Sequence, residues 1–219
     1  NENDYLKEFK KGQSFKYLLD GSVSYFAYPS IPKKLYEFNA EAKIIIIVRD
    51  PIFRAFSHYN MDKRMGYATE SLNEYLVNKK NKHEKFIHQY IENSLYYKHV
   101  NSYLEYFEEN QICILQLESI NDNLDKLCRF LEIDKLESFK DHERINPNKT
   151  PRNIISRTLQ HNRNLTSKLK RFIPRGLVSY FEFLFYKKAE KVKLEEVDRF
   201  FLEQYINEDY FKFKKRYLK

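Results

Sequence analysis

The spacing of apolar residues changes along the chain, and each change marks an element. Tyr5, Phe9, Phe15 and Leu19 fall roughly on one side with lysines between them, which predicts a helix over Tyr5–Leu19, interrupted by Gly12. Ser22–Tyr28 alternates weakly and reads as extended. Pro29 and Pro32 form a turn, with Pro32 suited to the first position of a helix Lys33–Phe38. The clearest strand is Lys43–Val48, KIIIIV, a continuous β-branched run of the kind buried on both faces of a parallel sheet. Asp50 and Pro51 supply an N-cap and a first helical residue for a helix Ile52–Met65. Ser71–Lys80 and His83–Phe107 read as helices, the second long and aromatic-rich, and Gln111–Leu117 is a second buried strand. Leu124, Leu127, Cys128 and Leu131 then repeat at helical spacing. Farther on, Arg152–Arg171 is a basic helical stretch, Leu177–Phe185 is strongly aromatic, and Leu194–Tyr217 forms one or two amphipathic helices.

Strands separated by helices predict an α/β fold with a parallel sheet. The expected division is an α/β domain over 1–175 with a helical C-terminal extension, 176–219, packed on it. The 219 residues suffice for one well-cored domain, and only four are Gly, which weighs against a many-turned all-β fold. No apolar run approaches the roughly 20 residues of a membrane span, and Asn1–Asp4 lacks the basic and apolar regions of a signal peptide. A cytoplasmic location is the resulting expectation. Cys113 and Cys128 lie on apolar positions and read as reduced core residues rather than a disulfide framework.

Charge is divided unevenly. Residues 1–139 carry 19 basic and 21 acidic side chains, whereas 140–219 carry 20 basic and 10 acidic. Nine Lys or Arg and no acid lie between Arg144 and Arg175. Such a block fits an anionic partner or a solvated basic helix equally well.

The segment with most chemistry is KIIIIVRDPIFRAFSHY, Lys43–Tyr59. Ligands of α/β sheets bind at the carboxyl ends of strands, where Arg49 leaves the run. Ser57 lies about two turns into the following helix. A guanidinium and a hydroxyl converging there suit a phosphate; the alternative is an Arg paired with a carboxylate and a Ser bonded to backbone.

The same segment resembles the 3′-phosphate-binding motif of the sulfotransferases that use 3′-phosphoadenosine 5′-phosphosulfate (PAPS), with Arg49, Asp50, Pro51, Arg54, Ser57 and Tyr59 at the motif positions. Asp20–Phe26 followed by Pro29 and Ile31–Tyr36 is similar to the family's E-x-[ST]-P-x-Y-[FL] segment and the helix after it. Tyr90, Ser94 and Tyr96 resemble its Y-x-x-x-[GS]-x-Y helix, Ile112–Ile120 with Glu118 its strand ending in Y-E-D-L, and Phe130–Ile133 its F-L-G-[IL]. Asn146–Arg152 falls where related enzymes carry a basic loop over the nucleotide, so the resemblance spans roughly residues 15–175 in order.

The resemblance implies a P-loop-NTPase-like three-layer domain with a central parallel sheet, and sulfuryl transfer from PAPS to a hydroxyl acceptor of carbohydrate type. Arg49 and Ser57 would hold the 3′-phosphate, Lys149 and Arg152 would close from the basic loop, and Asp20 is the candidate base, with His58 and His99 possible by chemistry. No metal and no nucleic-acid partner is expected. Three features depart from the family: the Gly/Lys/Ser/Thr-rich loop for the 5′-phosphosulfate and the Glu following it are not found and are expected before residue 1, and Gly21 stands where glycosaminoglycan-acting members often have Lys. The competing readings are a non-catalytic domain of the same fold that binds a nucleotide or acidic polymer, and a nucleic-acid-binding domain using the basic tail.

Overall fold

The structure, a computed structural model, describes residues 5–7, 9, 15–77, 84–136, 149–151, 184–188 and 192–218. In chain order these form helix α1 (Ile31–Phe38), strand β1 (Ile44–Val48), α2 (Pro51–Met65), α3 (Leu72–Val77), α4 (Glu84–Tyr90), α5 (Tyr96–Leu104), β2 (Ile112–Gln116), α6 (Leu124–Leu131), β3 (Lys149–Pro151), β4 (Tyr186–Lys188) and α7 (Glu196–Tyr217). β1 and β2 pair in parallel, Ile44 opposite Ile112 through Val48 opposite Gln116, as the two apolar runs require. β3 and β4 form a separate antiparallel pair.

Alternation sends Ile46, Val48 and Ile114 to one face of the β1–β2 pair, where they pack with Tyr96 and Val100 of α5 and Phe213 of α7. A second cluster joins Ile52, Phe56 and Tyr59 of α2 to Leu72 and Leu76 of α3, Tyr90, and Leu202 and Ile206 of α7. Burial of each such side chain contributes about 1.5–3 kcal/mol. α7 thus enters both clusters and shares its core with the α/β part of the chain. Toward the opposite face, Lys126 Nζ of α6 donates to Ile114 O of β2 (2.9 Å) and Lys43 Nζ to Phe130 O (2.6 Å). Cys113 and Leu115 are buried there as expected, and Cys128 is buried on α6. On that face of β1, Ile45 is half-buried and Ile47 is 53% exposed, so among the described residues the cover is incomplete.

Several expected elements differ from those observed. The single helix His83–Phe107 is two helices, α4 and α5, separated by a 3-10 turn Glu92–Ser94. No Gly or Pro marks the break. The carbonyls of Gln89 and Tyr90 are drawn instead to the buried guanidinium of Arg54. Ser22–Tyr28 contains a 3-10 helix, Val23–Ala27, rather than an extended segment; Phe26 packs there against Tyr96, His99 and Tyr103. Residues 15–19 are not helical: the Tyr17 hydroxyl and Lys16 Nζ reach the last carbonyls of α6, where Leu131 O accepts from Tyr17 at 2.7 Å. α1 starts at Ile31, one residue before the predicted proline start. α7 is one helix of 22 residues. Arg152–Arg171 lies outside the described residues, as does most of Leu177–Phe185.

Local signals account for the element that matters most. α2 opens with Asp50 Oδ1 accepting from Phe53 N–H (2.9 Å) and Pro51 at N1. It closes on Gly66 with φ 77°, a left-handed cap that glycine adopts without steric cost. α6 ends on Glu132 at φ 51°, where a side chain is strained; Lys43 holds that carboxylate at 3.1 Å.

α7 also caps α5 across the fold, with Asp209 Oδ1 and Oδ2 accepting from the main-chain N–H groups of Tyr97 and Lys98, both at 2.9 Å. Loss of a helix cap costs about 1–2 kcal/mol. Asp209→Ala is therefore expected to lower the urea unfolding midpoint by an amount equivalent to that cost, at unchanged m-value. An unshifted midpoint would show that the two N–H groups are satisfied equally well by water.

Candidate functional site

The site forms where the chain leaves β1. Arg49 follows the last strand residue, Val48. Tyr96, a buried phenol pushed up to about 12 mainly by burial, lies within range of its charge. Arg49 Nη2 donates to Phe53 O, folding the guanidinium over the first turn of α2. In an α-helix that carbonyl also receives the N–H of the residue four ahead, here Ser57. Arg49 and Ser57 are thus brought together on adjacent turns, and Ser57 is exposed. Arg49 Nε is buried with no hydrogen-bond partner among the described residues. An unsatisfied buried donor is costly, so an anion taking up this guanidinium would recover part of that cost. The 3-10 turn Leu117–Ser119 that follows β2 reaches the same point: Glu118 Oε1 accepts from Asp50 N–H at 3.4 Å.

The back of α2 is held by Arg54, which is a structural residue here rather than a phosphate ligand. Its Nε donates to Ser94 Oγ (2.7 Å) and its Nη2 to Gln89 O (2.8 Å) and Tyr90 O (2.7 Å). Burial, with a smaller contribution from the neighbouring Arg49 charge, pulls this guanidinium down to about 10. Ser94 is fully buried and completes the joint by donating to Tyr90 O (2.9 Å) or Pro51 O (3.3 Å). The sequence motif marks Arg54 and Ser94 as positions of interest, but only the tertiary contact reveals that each exists to hold the other.

Asp20 stands in a different cluster. It accepts from Ser22 Oγ at 2.7 Å and from Tyr5 OH at 3.1 Å, and the Ser22 bond leads the effects holding its carboxyl below the usual range. His58 and His99 are packing residues. His58 Nδ1 lies 3.5 Å from Arg54 Nη1, and the buried His99 donates from Nε2 to Glu92 O at 2.7 Å. Lys149 falls in β3, where only the backbone is described, and Arg152 lies outside the described residues. The described residues contain no cluster of metal-ligating side chains and no helix long and apolar enough to cross a membrane. They contain no glycine-rich strand-turn-helix either.

One feature escaped the sequence reading. Arg199 of α7 lies over Phe53, with Cζ 5.5 Å from the ring centroid. Nothing in the local pattern around residue 199 signals a partner 146 positions away; a basic residue on an amphipathic helix reads as surface charge.

Residues 18–205 match the family model described as "Sulfotransferase domain". The chain is 29% identical over 133 residues to the mouse protein "Heparan sulfate glucosamine 3-O-sulfotransferase 5" and 27% identical over 133 residues to the human protein of the same name. Each match takes in 52% of this chain and 36% of the relative, so the chain spans about a third of the length of these curated relatives. A crystal structure of a sulfotransferase from Alicyclobacillus acidocaldarius superposes with a TM-score of 0.56 at 26% identity, over 67% of this chain and 62% of that one.

The imidazoles give the fold a pH dependence. Burial leads the effects that hold His58 and His99 below the ordinary 6.5. The unfolded chain then protonates first, so the stability these groups contribute is present above about pH 6.5 and lost as pH falls below it. Asp198 and Asp209, raised by burial, act in the opposite sense, so the contrast between variants is the informative quantity. The drop in urea midpoint between about pH 7.5 and pH 5.5 is expected to be smaller in His58→Gln and in His99→Asn than in the parent chain. An equal drop in all three proteins would mean that neither imidazole is held neutral by the fold.

Proposed function

Because this chain belongs to the sulfotransferase domain family, we propose that it carries the 3′-phosphate half of a PAPS site in an enzyme that sulfates a hydroxyl group, with a saccharide as the acceptor class. One observation carries the reading. Arg49 is folded against the first turn of α2, one turn from the exposed Ser57, at the carboxyl end of a parallel strand, with its Nε buried and without a hydrogen-bond partner among the described residues. A guanidinium fork and a hydroxyl present donors to several oxygens of one phosphate at once. The saccharide class rests on the two relatives whose names specify heparan sulfate glucosamine, and on nothing in the geometry.

Sulfuryl transfer needs the attacking hydroxyl in line with the leaving phosphate oxygen, with negative charge accumulating on peripheral oxygens. The residues described here act at the far end of the donor. Arg49 and Ser57 fix the nucleotide by its 3′-phosphate, and the rigid joint behind them (Arg54 against Ser94, Gln89 and Tyr90) keeps that anchor from moving. Anchoring a substrate remotely contributes to rate by orientation. Lys149 and Arg152 are proposed to close on the same nucleotide from the basic loop. Asp20 remains the proposed base on the acceptor side; with Ser22 and Tyr5 donating to it, it is ionised at neutral pH and takes a proton with little driving force.

Isothermal titration of the complete protein with 3′-phosphoadenosine 5′-phosphate and with 5′-AMP tests the anchor. Tight binding of the first, weak binding of the second, and a loss of at least about ten-fold for the first in Arg49→Ala are the expected results, since a hydrogen bond to a charged group contributes about 1.5–3 kcal/mol. Equal affinity for the two nucleotides would falsify a 3′-phosphate site.

A further inference from the structure

The C-terminal helix brings a second guanidinium to the residue around which Arg49 is folded. Arg49 Nη2 donates to the Phe53 carbonyl, while Arg199 Cζ lies 5.5 Å from the centroid of the Phe53 ring, within cation–π range. Phe53 and Ser57 are one turn apart and both exposed, on the same side of α2. Arg49 and Arg199 therefore both reach Phe53, one through its carbonyl and the other through its ring, and Ser57 lies one turn farther along.

Neither the ring nor the cation is occupied by the core. Phe53 is 49% exposed, and the Arg199 side chain is 45% exposed. The carboxylate facing Arg199 is Glu203 of the same helix, at 3.5 Å, an exposed pair one turn apart that contributes little. Among the described residues Arg49 forms no ion pair, while Asp50 accepts from Phe53 N–H and Glu118 from Asp50 N–H. Two guanidiniums thus reach one turn, and the exposed Glu203 is the ion-pair partner of Arg199.

We infer that Arg199 is a second guanidinium of the 3′-phosphate subsite, held in place by its stack on Phe53. This assignment rests on the donor reading above. A phosphate monoester dianion presents three terminal oxygens, and one fork plus one hydroxyl leaves acceptor capacity for a further planar donor. Arginine suits the position because it can lie flat on an aromatic face while its edge still donates, which an ammonium cannot do. The consequence is that α7, which packs into both core clusters, is part of the donor site and a determinant of selectivity for a 3′-phosphorylated nucleotide.

The test is nucleotide titration of the complete protein and its Arg199→Ala, Arg199→Lys, Phe53→Leu and Arg49→Ala variants, each with 3′-phosphoadenosine 5′-phosphate and 5′-AMP, alongside thermal unfolding. In Arg199→Ala, affinity for the 3′-phosphorylated nucleotide is expected to fall by about ten-fold, with 5′-AMP binding and Tm unchanged. Arg199→Lys should recover only part of the loss, and Phe53→Leu should resemble Arg199→Ala more weakly, through loss of the stack. Unchanged affinity in Arg199→Ala, where Arg49→Ala abolishes binding, overturns the assignment and leaves the donor reading intact. A parent protein that does not discriminate between the nucleotides overturns both.

Discussion

The fold around the site depends on one largely buried cation that has no counter-ion among the described residues. Arg54 leaves the first turn of α2 and gives its donors to Ser94 Oγ and to the carbonyls of Gln89 and Tyr90. These carbonyls lie at and just before the end of α4, where the helix has no further N–H to offer them. A guanidinium out of water is costly unless its donors are satisfied. Here three acceptors on a neighbouring element satisfy it, and the exchange locks α2 to the junction of α4 and α5. That junction in turn starts α5, whose Tyr96 packs with Val48 of β1. Strand tip, α2 and α5 are thereby tied into one corner.

Rigidity at this corner matters because nothing there does covalent work in the proposed reaction. An anchor contributes to sulfuryl transfer only by holding the donor where the acceptor can attack in line, and a small displacement at the anchor is transmitted along the whole nucleotide. The second support comes from α7. Asp209 caps α5, Phe213 fills the face of β1 and β2, and Arg199 reaches Phe53, so one helix supports the corner from three directions.

The site was legible in the sequence to the extent that it is local. Asp50 and Pro51 announce the start of α2, Gly66 marks its end, and the strand before it is a β-branched run; spacing alone then puts Arg49 and Ser57 on adjacent turns. The break between α4 and α5 was not legible. No helix-breaking residue stands there, and the cause is Arg54, some 35 positions upstream. The turn at Val23–Ala27 was misread for a similar reason, since its weak alternation serves ring packing of Phe26 onto α5 rather than strand pairing. Asp20 was singled out by motif position, and only its hydroxyl partners reveal a carboxyl of lowered proton affinity.

By itself, then, the sequence determined the order of strands and helices, the parallel pairing implied by two fully apolar runs, and the guanidinium and hydroxyl at the strand tip. Each follows from periodicity or from a cap, which act within a few residues. Only the tertiary structure decided that Arg54 is spent on the neighbouring carbonyls, that His58 and His99 sit where burial lowers their proton affinity, and that Arg199 lies over the ring of Phe53. These outcomes depend on desolvation and on partners 35 or more positions away, and a one-dimensional pattern carries neither the burial of a charge nor the acceptor that satisfies it.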